Sequence, residues 1–256
     1  MDREGVMRVF KEYTDDYDVT DPKISLKIRH TYRVADIAEK IALSIGLKDK
    51  EVELAWFNGM LHDIGRFEQL RRYDTFVDRD SVDHAMLGAD ILFKDGLIES
   101  FPTEGLPDGW EQFAETAVRC HSWLNLPEDM DKATRMYTDI LRDADKCDIF
   151  RVLTEPPHDV RNANIIASDT PACDMVMQGV REHRCVPRTF QRTEFEALMM
   201  QCCMAFELVY QKSRDITKEQ GYLDKLMDLG VKNEEMKEQQ RILREEMKKA
   251  MDSASS

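Results

Sequence analysis

Leu61-His62-Asp63-Ile64-Gly65 sets an imidazole beside a carboxylate, with a glycine two residues on. The apolar residues before it, Val52, Leu54-Ala55-Trp56 and Met60-Leu61, recur at helical spacing. The pair is therefore expected near a helix C-terminus, closed by Gly65 in the left-handed cap position. Adjacent residues on a helix point about 100° apart. Two such side chains converge on one point only if that point is a metal ion, or a metal pair, close to the helix end. By itself His-Asp is a common and often solvated dipeptide. Its meaning depends on its partners: His30 lies upstream, His84 and His121 downstream, and Asp143 and Asp145 follow in an apolar helix.

The helix that carries His30 is the clearest in the chain. Leu26, His30, Val34, Ile37-Ala38, Ile41-Ala42 and Ile45 recur at three and four, after a Thr20-Asp21-Pro22 start signal and before Gly46. His30 is thus in line with the buried stripe; the plain alternative is a core histidine making one hydrogen bond. Asp49 is expected to cap the next helix, which delivers His62 and Asp63. Residues 66–80 are polar and rich in arginine (Arg66, Arg71, Arg72, Arg79) and read as a short helix then a loop. Ser81-Val82-Asp83-His84 starts another helix with His84 in its first turn. Residues 95–109 read as loop, and a helix from about Trp110 ends near His121.

Residues 129–153 form a long periodic helix. Met136, Ile140, Asp143, Cys147 and Phe150 lie on one line, and Leu141, Asp145, Ile149 and Val152 on the next. A carboxylate beside a buried stripe needs a partner, since an unpaired buried charge is costly; a metal or a nearby Lys or Arg would serve. Pro156-Pro157 breaks the chain. Residues 158–190 read as irregular, with a helix around 172–182, and 192–211 as a buried helix. Beyond about Lys232 the chain reads as a solvated Glu/Lys/Gln/Met-rich helix fraying into 253–256. The organisation expected is all-α, with a core over 1–155 and a C-terminal helical extension over 156–256 packed on the same domain.

Of the 256 residues, 42% are hydrophobic and 34% charged, an ordinary balance for a soluble chain. The net charge of −14 argues against a nucleic-acid polymer as partner, but not against a small anionic substrate, because a bound divalent ion can dominate the local field. The six cysteines include no CxxC pair and no framework-like spacing, and Cys202-Cys203, neighbours in an apolar run, read as buried thiols rather than a disulfide. No apolar run suits a membrane span, and the cytoplasm is the expected location. His158 and His183 fall in irregular stretches and are read as surface residues. The remaining four histidines with neighbouring carboxylates make a metal-site inventory. Imidazole and carboxylate suit Mn, Fe, Ni, Co or Zn, and the lack of thiolate disfavours a structural zinc site.

The pattern His30…His62-Asp63…Asp145 resembles the HD superfamily of metal-dependent phosphohydrolases, over roughly residues 24–150. The resemblance is most specific at His62-Asp63-Ile64-Gly65 and at Asp143-Ala144-Asp145-Lys146. It implies an HD-domain helical bundle and assigns the last metal-ligand role to Asp145, leaving Asp143 a structural or supporting place. In two-metal members two further histidines bind the second ion, and His84 and His121 match those positions in order. No Gly-Tyr-Pro segment of the cyclic-di-GMP phosphodiesterase kind is present. Ile64-Gly65-Arg66-Phe67 stands where similar alarmone hydrolases place a Glu-Asp pair. The chain thus resembles bacterial HD proteins without an assigned substrate.

The resemblance implies hydrolysis of a phosphate ester or anhydride, most naturally in a nucleotide, with one or two divalent ions (Mn, Fe, Ni, Co, Zn or Mg). Metal one would use His30, His62, Asp63 and Asp145; metal two would use bridging Asp63, His84 and His121. Asp63 and His62 then carry the chemistry with Arg66, and Arg33 and Arg66 are candidate phosphate clamps; the plain reading of each arginine is a surface ion pair. Two competing readings are a di-iron oxygenase of the related helical fold, disfavoured by the basic set at Arg66–Arg72, and a non-catalytic helical interaction module.

Overall fold

Asp21 and Pro22 start their helix as the sequence predicts. Asp21 Oδ1 accepts from Lys23 N at 2.7 Å, and proline occupies the first turn, where its missing N–H leaves no helix bond unmade. The computed structural model describes residues 1–155, 158–187, 189 and 191–252, with the side chains of 158–162 excepted. Among the described residues there is no strand, and the chain is all-α. It divides into two compact units, Met1–Asp145 and Lys146–Ser256. The expected break at Pro156-Pro157 and the expected fraying over 253–256 lie outside the described residues.

The first unit holds α1 (Arg3–Asp15), α2 (Pro22–Ser44), α3 (Asp49–Leu61), α4 (Ile64–Tyr73), α5 (His84–Ala89), α6 (Trp110–Cys120) and most of α7 (Lys132–Val152). Its core gathers Phe10, Phe57, Met60, Leu61, Phe67, Leu92 and Val118, all essentially without solvent contact. Each such side chain contributes about 1.5–3 kcal/mol of transfer free energy. Gly59 fixes how α3 lies on α2: a Cβ there would sit 2.5 Å from Ala35 Cα and 2.7 Å from Ala35 N. Only glycine permits this approach, and it brings His62, nearly one turn on, level with His30.

The structure corrects the expected end of α3. Gly65 does not close a helix in the left-handed region; it lies inside α4 with ordinary helical φ. Helix α3 ends at Leu61, and the chain passes through His62 (φ −55, ψ −38) and Asp63 (φ −105, ψ 15) before α4 begins at Ile64. The pair sits in a two-residue break between helices, which turns Asp63 out of strict helical phase with His62. Gly65 has a different reason to lack a side chain. A Cβ would run into the backbone at His84 O and Gly88 N, because α4 and α5 cross there in contact.

Smaller departures have local causes. Asp49 is the first residue of α3 (φ 39) rather than its cap. Residues 95–109 contain a short 3-10 turn, Leu97–Ser100. Helix α7 starts at Lys132, where Asp131 Oδ1 accepts from Ala133 N (3.1 Å) and Thr134 N (3.0 Å).

The second unit holds α8 (His158–Ala167), α9 (Asp174–Arg181), α10 (Glu194–Cys203), α11 (Gln211–Gln220), α12 (Tyr222–Met227) and α13 (Glu234–Asp252). The stretch expected to be irregular contains α8 as well as α9. The helix expected over 192–211 is shorter: Thr193 and Glu196 cap each other at its start (Glu196 N to Thr193 Oγ1, 3.1 Å; Thr193 N to Glu196 Oε2, 3.0 Å), and α10 ends at Cys203. Helix α13 is not a solvated rod. Met236, Leu243, Met247 and Met251 are buried along one face, while Arg241 pairs with Glu238 and Glu245 on another. All six cysteines are free thiols, with Cys202 and Cys203 fully buried. His183 is no bare surface residue; its Nε2 lies 2.8 Å from Glu246 Oε2 and its ring stacks on Phe206 at 4.9 Å. The side chain of His158 lies outside the described residues.

Candidate metal centre

Five elements of the first unit deliver six polar side chains to one place. His30 comes from the middle of α2, His62 and Asp63 from the α3–α4 break, and His84 from the first position of α5. His121 caps the C-terminus of α6, and Asp145 lies on α7. The four histidines and Asp63 are buried, and Asp145 keeps a small exposed area. The two oxygens of Asp63 face different partners. Oδ2 lies 3.5 Å from both His30 Nε2 and His62 Nε2, and Asp145 Oδ1 adds to that group at 3.0 Å from His30 Nε2 and 3.7 Å from His62 Nε2. Oδ1 lies 3.6 Å from His84 Nε2 and 3.9 Å from His121 Nε2.

The ring orientations are set from behind. His62 Nδ1 donates to Gly59 O (2.7 Å) and His121 Nδ1 to Val118 O (2.7 Å). A carbonyl can only accept, so in both rings the proton is on Nδ1 and a neutral ring presents a bare Nε2 lone pair. His84 Nδ1 is 2.8 Å from Asp78 Oδ2, which fixes the same tautomer. Burial, with Arg66 beside it, pushes His84 down to about 3; burial, with His62 beside it, pushes His121 down to about 4. Both rings are neutral at pH 7.

The 3.1 Å approach of His84 Nε2 to His121 Nε2 is therefore no hydrogen bond, since neither nitrogen has a proton to give. With Asp63 Oδ1 beside them, three acceptors face one another in a buried space. Such an arrangement is unfavourable unless a cation sits among the lone pairs. His30, His62 and Asp63 form one group whose geometry could hold a metal ion, and Asp63, His84 and His121 a second. Imidazole and carboxylate donors fit a divalent transition metal, and no thiolate is among them.

Burial opposes the charge of Asp63, yet Lys27, His62 and Arg66 hold its carboxyl well below the usual range. Asp145 is likewise held low against burial, chiefly by its bond to His30. Asp78 stays ionised against burial through His84 and Arg66. Arg66 packs behind the centre: its Nη1 donates to Phe76 O (2.7 Å), Asp78 Oδ1 (2.9 Å) and Gln69 Oε1 (2.9 Å). Its Nε is buried 3.6 Å from Asp63 Oδ1, without a hydrogen-bond partner among the described residues. Gln69 Nε2 also donates to Asp78 Oδ1, at 2.9 Å.

Arg33 is half-buried on α2, one turn beyond His30, and Asp143 is fully buried on α7. Two residues at the site escape the sequence reading. Lys27, whose Nζ donates to Asp63 Oδ2 at 2.6 Å, had a signal: it precedes His30 by three residues and shares its helix face. Asp78 had none, because it lies in a polar stretch whose path is set by Arg66 and Gln69.

The profile of the HD domain matches residues 28–151, just under half of the chain and a span that holds all six converging residues, and the match supports an HD-superfamily protein. Members of that superfamily are in general metal-dependent phosphohydrolases and bind divalent ions. No curated protein and no solved structure matches the chain. Among the described residues, no helix is long and apolar enough to cross a membrane.

Proposed function

We propose that this protein is a metal-dependent phosphohydrolase that cleaves a phosphate ester or anhydride of a small molecule, a nucleotide being the substrate class, in the cytoplasm. The observation that carries this reading is the division of Asp63. One oxygen faces the His30, His62 and Asp145 group and the other the His84 and His121 group, with three acceptors and no donor proton in the second.

On this reading His30, His62, Asp63 and Asp145 would hold one divalent ion, and Asp63, His84 and His121 would hold a second. A bound divalent ion supplies a water acidic enough to act as nucleophile at neutral pH and neutralises phosphoryl oxygens. Asp63 keeps its negative charge between the two groups, and His62 stays oriented through Gly59 O. Asp78 holds the ring of His84, and Arg66 places a fixed positive charge beside Asp63. Arg33 and Arg66 remain the arginines from which phosphate contacts are expected. The basic groups around Asp63 support an anionic substrate over the uncharged one of a di-iron oxygenase. Trp123, two residues past His121 and 37% exposed, offers an aromatic face of the kind a nucleobase stacks on. Its carbonyl, like that of His121, accepts from the buried Arg142.

The test is metal analysis of the purified chain followed by a panel of phosphomonoesters, phosphodiesters, nucleotides and pyrophosphates with Mn2+, Fe2+, Ni2+, Co2+, Zn2+ and Mg2+. Turnover of a phosphate compound that EDTA abolishes and metal restores is the expected result. Bound iron with a mixed-valence spectrum and no phosphate release would favour the oxygenase instead.

A further inference from the structure

The ammonium of Lys27 sits where a cation is wanted. Its Nζ donates to Asp63 Oδ2 at 2.6 Å, and that same oxygen faces His30 Nε2 and His62 Nε2 at 3.5 Å. The ammonium and any ion held by those imidazoles therefore compete for the lone pairs of one oxygen. Like charges repel at such range, so a dication at Oδ2 weakens this contact and favours a move of the ammonium to another anionic partner. Lys27 is the more exposed partner, at 12% of its side chain against 3% for Asp63. The ring of Phe76 lies 5.7 Å from its Nζ and 5.8 Å from the Arg66 guanidinium carbon, alongside both cations.

Arg66 is less free to change partners. Its Nη1 is tied to Phe76 O, Asp78 and Gln69, and a planar guanidinium cannot turn one nitrogen without moving the rest. Lys27 has rotatable donors on a four-carbon stem and, among the described residues, one carboxylate partner at the centre, Asp63. The local charge points the same way. The centre gathers four carboxylates (Asp63, Asp78, Asp83 and Asp145) and two fixed cations (Lys27 and Arg66), so two divalent ions make it net positive. A centre of that charge attracts an anion.

We propose that Lys27 is an anion-binding residue of this centre: it neutralises Asp63 in the metal-free protein and turns to a phosphoryl oxygen of the substrate once Asp63 is engaged by metal. The inference rests on the phosphohydrolase reading and adds to it a residue that recognises the transferred group. It also predicts that metal and lysine exclude each other at Asp63 Oδ2, while metal and anion bind together.

The experiment is calorimetric titration of the full chain, first with Mn2+ and then, on the Mn2+-loaded protein, with inorganic phosphate. Wild type is expected to bind phosphate when loaded. Lys27→Met and Lys27→Gln are expected to keep their Mn2+ content, with Mn2+ affinity equal to or several-fold above wild type, while phosphate affinity falls at least about tenfold. Either folded variant binding phosphate as wild type does, with metal in place, overturns the proposal. So does a loss of Mn2+ from a folded variant, which would make Lys27 a support for the ligands. Loaded wild-type protein that binds no phosphate brings down the phosphohydrolase reading itself, and this inference with it.

Discussion

His84 and His121 bring their Nε2 atoms within 3.1 Å of each other, and neither nitrogen carries a proton, because each ring's Nδ1 donates to Asp78 and to Val118 O respectively. The contact makes sense only around a cation. Replacing both with alanine should cost about one metal ion per chain and most activity, while the His30, His62 and Asp145 group stays loaded. Metal counted by mass spectrometry or atomic absorption decides it. Unchanged stoichiometry would leave the two rings with a substrate-contacting role.

Metal should stabilise the fold, since the unfolded chain cannot assemble these ligands. At a free ion concentration of about 100 times Kd, one site adds about 2.7 kcal/mol. In a chain of this size that raises Tm by roughly 5–10 °C. A thermal melt with and without Mn2+, reversed by EDTA, reads it directly. An unchanged Tm at saturating metal would argue against binding at these buried groups.

Asp78 is expected to govern the second group without touching an ion. Asp78→Ala removes the acceptor of His84 Nδ1 and one of the three acceptors of Arg66 Nη1. Outer-sphere carboxylates of this kind are commonly worth about 10–100-fold in metal affinity. The weaker of two Mn2+ sites in a titration should shift by that factor with helical content intact. Equal affinities for variant and wild type would show that the ring needs no such anchor.

Gly65→Ala tests the packing of α4 on α5. The added methyl meets the backbone at His84 O and Gly88 N, and no side chain can swing aside to relieve it. The expected loss is about 1–3 kcal/mol, seen as a lower denaturant midpoint with an unchanged slope. Because His84 O is one of the contacts, metal affinity of the second group should fall as well. A stable, fully loaded Gly65→Ala protein would show the two helices free to part.

Asp63→Asn keeps the size of the side chain and removes its charge. On the proposed function two cations would face this one carboxylate and depend on its charge, so turnover on a good phosphate substrate should drop at least a hundredfold, about 2.7 kcal/mol of barrier. The chain should remain folded, because its stability rests on the apolar faces of α2, α3 and α4. Near-normal turnover with metal bound would remove Asp63 from the chemistry, and outright unfolding would make it a buried structural acid.

Periodicity by itself determined α2 and α7 and which of their faces are buried. The stripe on α2, the start at Asp21-Pro22, the stop at Gly46 and the long α7 are all local patterns, set by side-chain spacing and capping within a few residues. The residues of the candidate site were legible too, because histidines on buried stripes or at helix ends, with a carboxylate adjacent, are unusual in an ordinary core. What only the tertiary structure decided involves backbone meeting backbone. Gly65 looked like a cap because glycine commonly ends helices; its actual cause is the carbonyl of His84, invisible in a one-dimensional pattern. The buried face of α13 was hidden for a similar reason, since a methionine stripe among Glu and Lys reads as solvated until a surface covers it. Asp78 and Lys27 acquire their roles from hydrogen bonds that close over distances in sequence of 6 residues to His84 and 36 residues to Asp63. Spacing marks Lys27 as a neighbour of His30 on α2, but its partner Asp63 and the pairing of Asp78 with His84 are fixed by helix packing rather than by the chain between them.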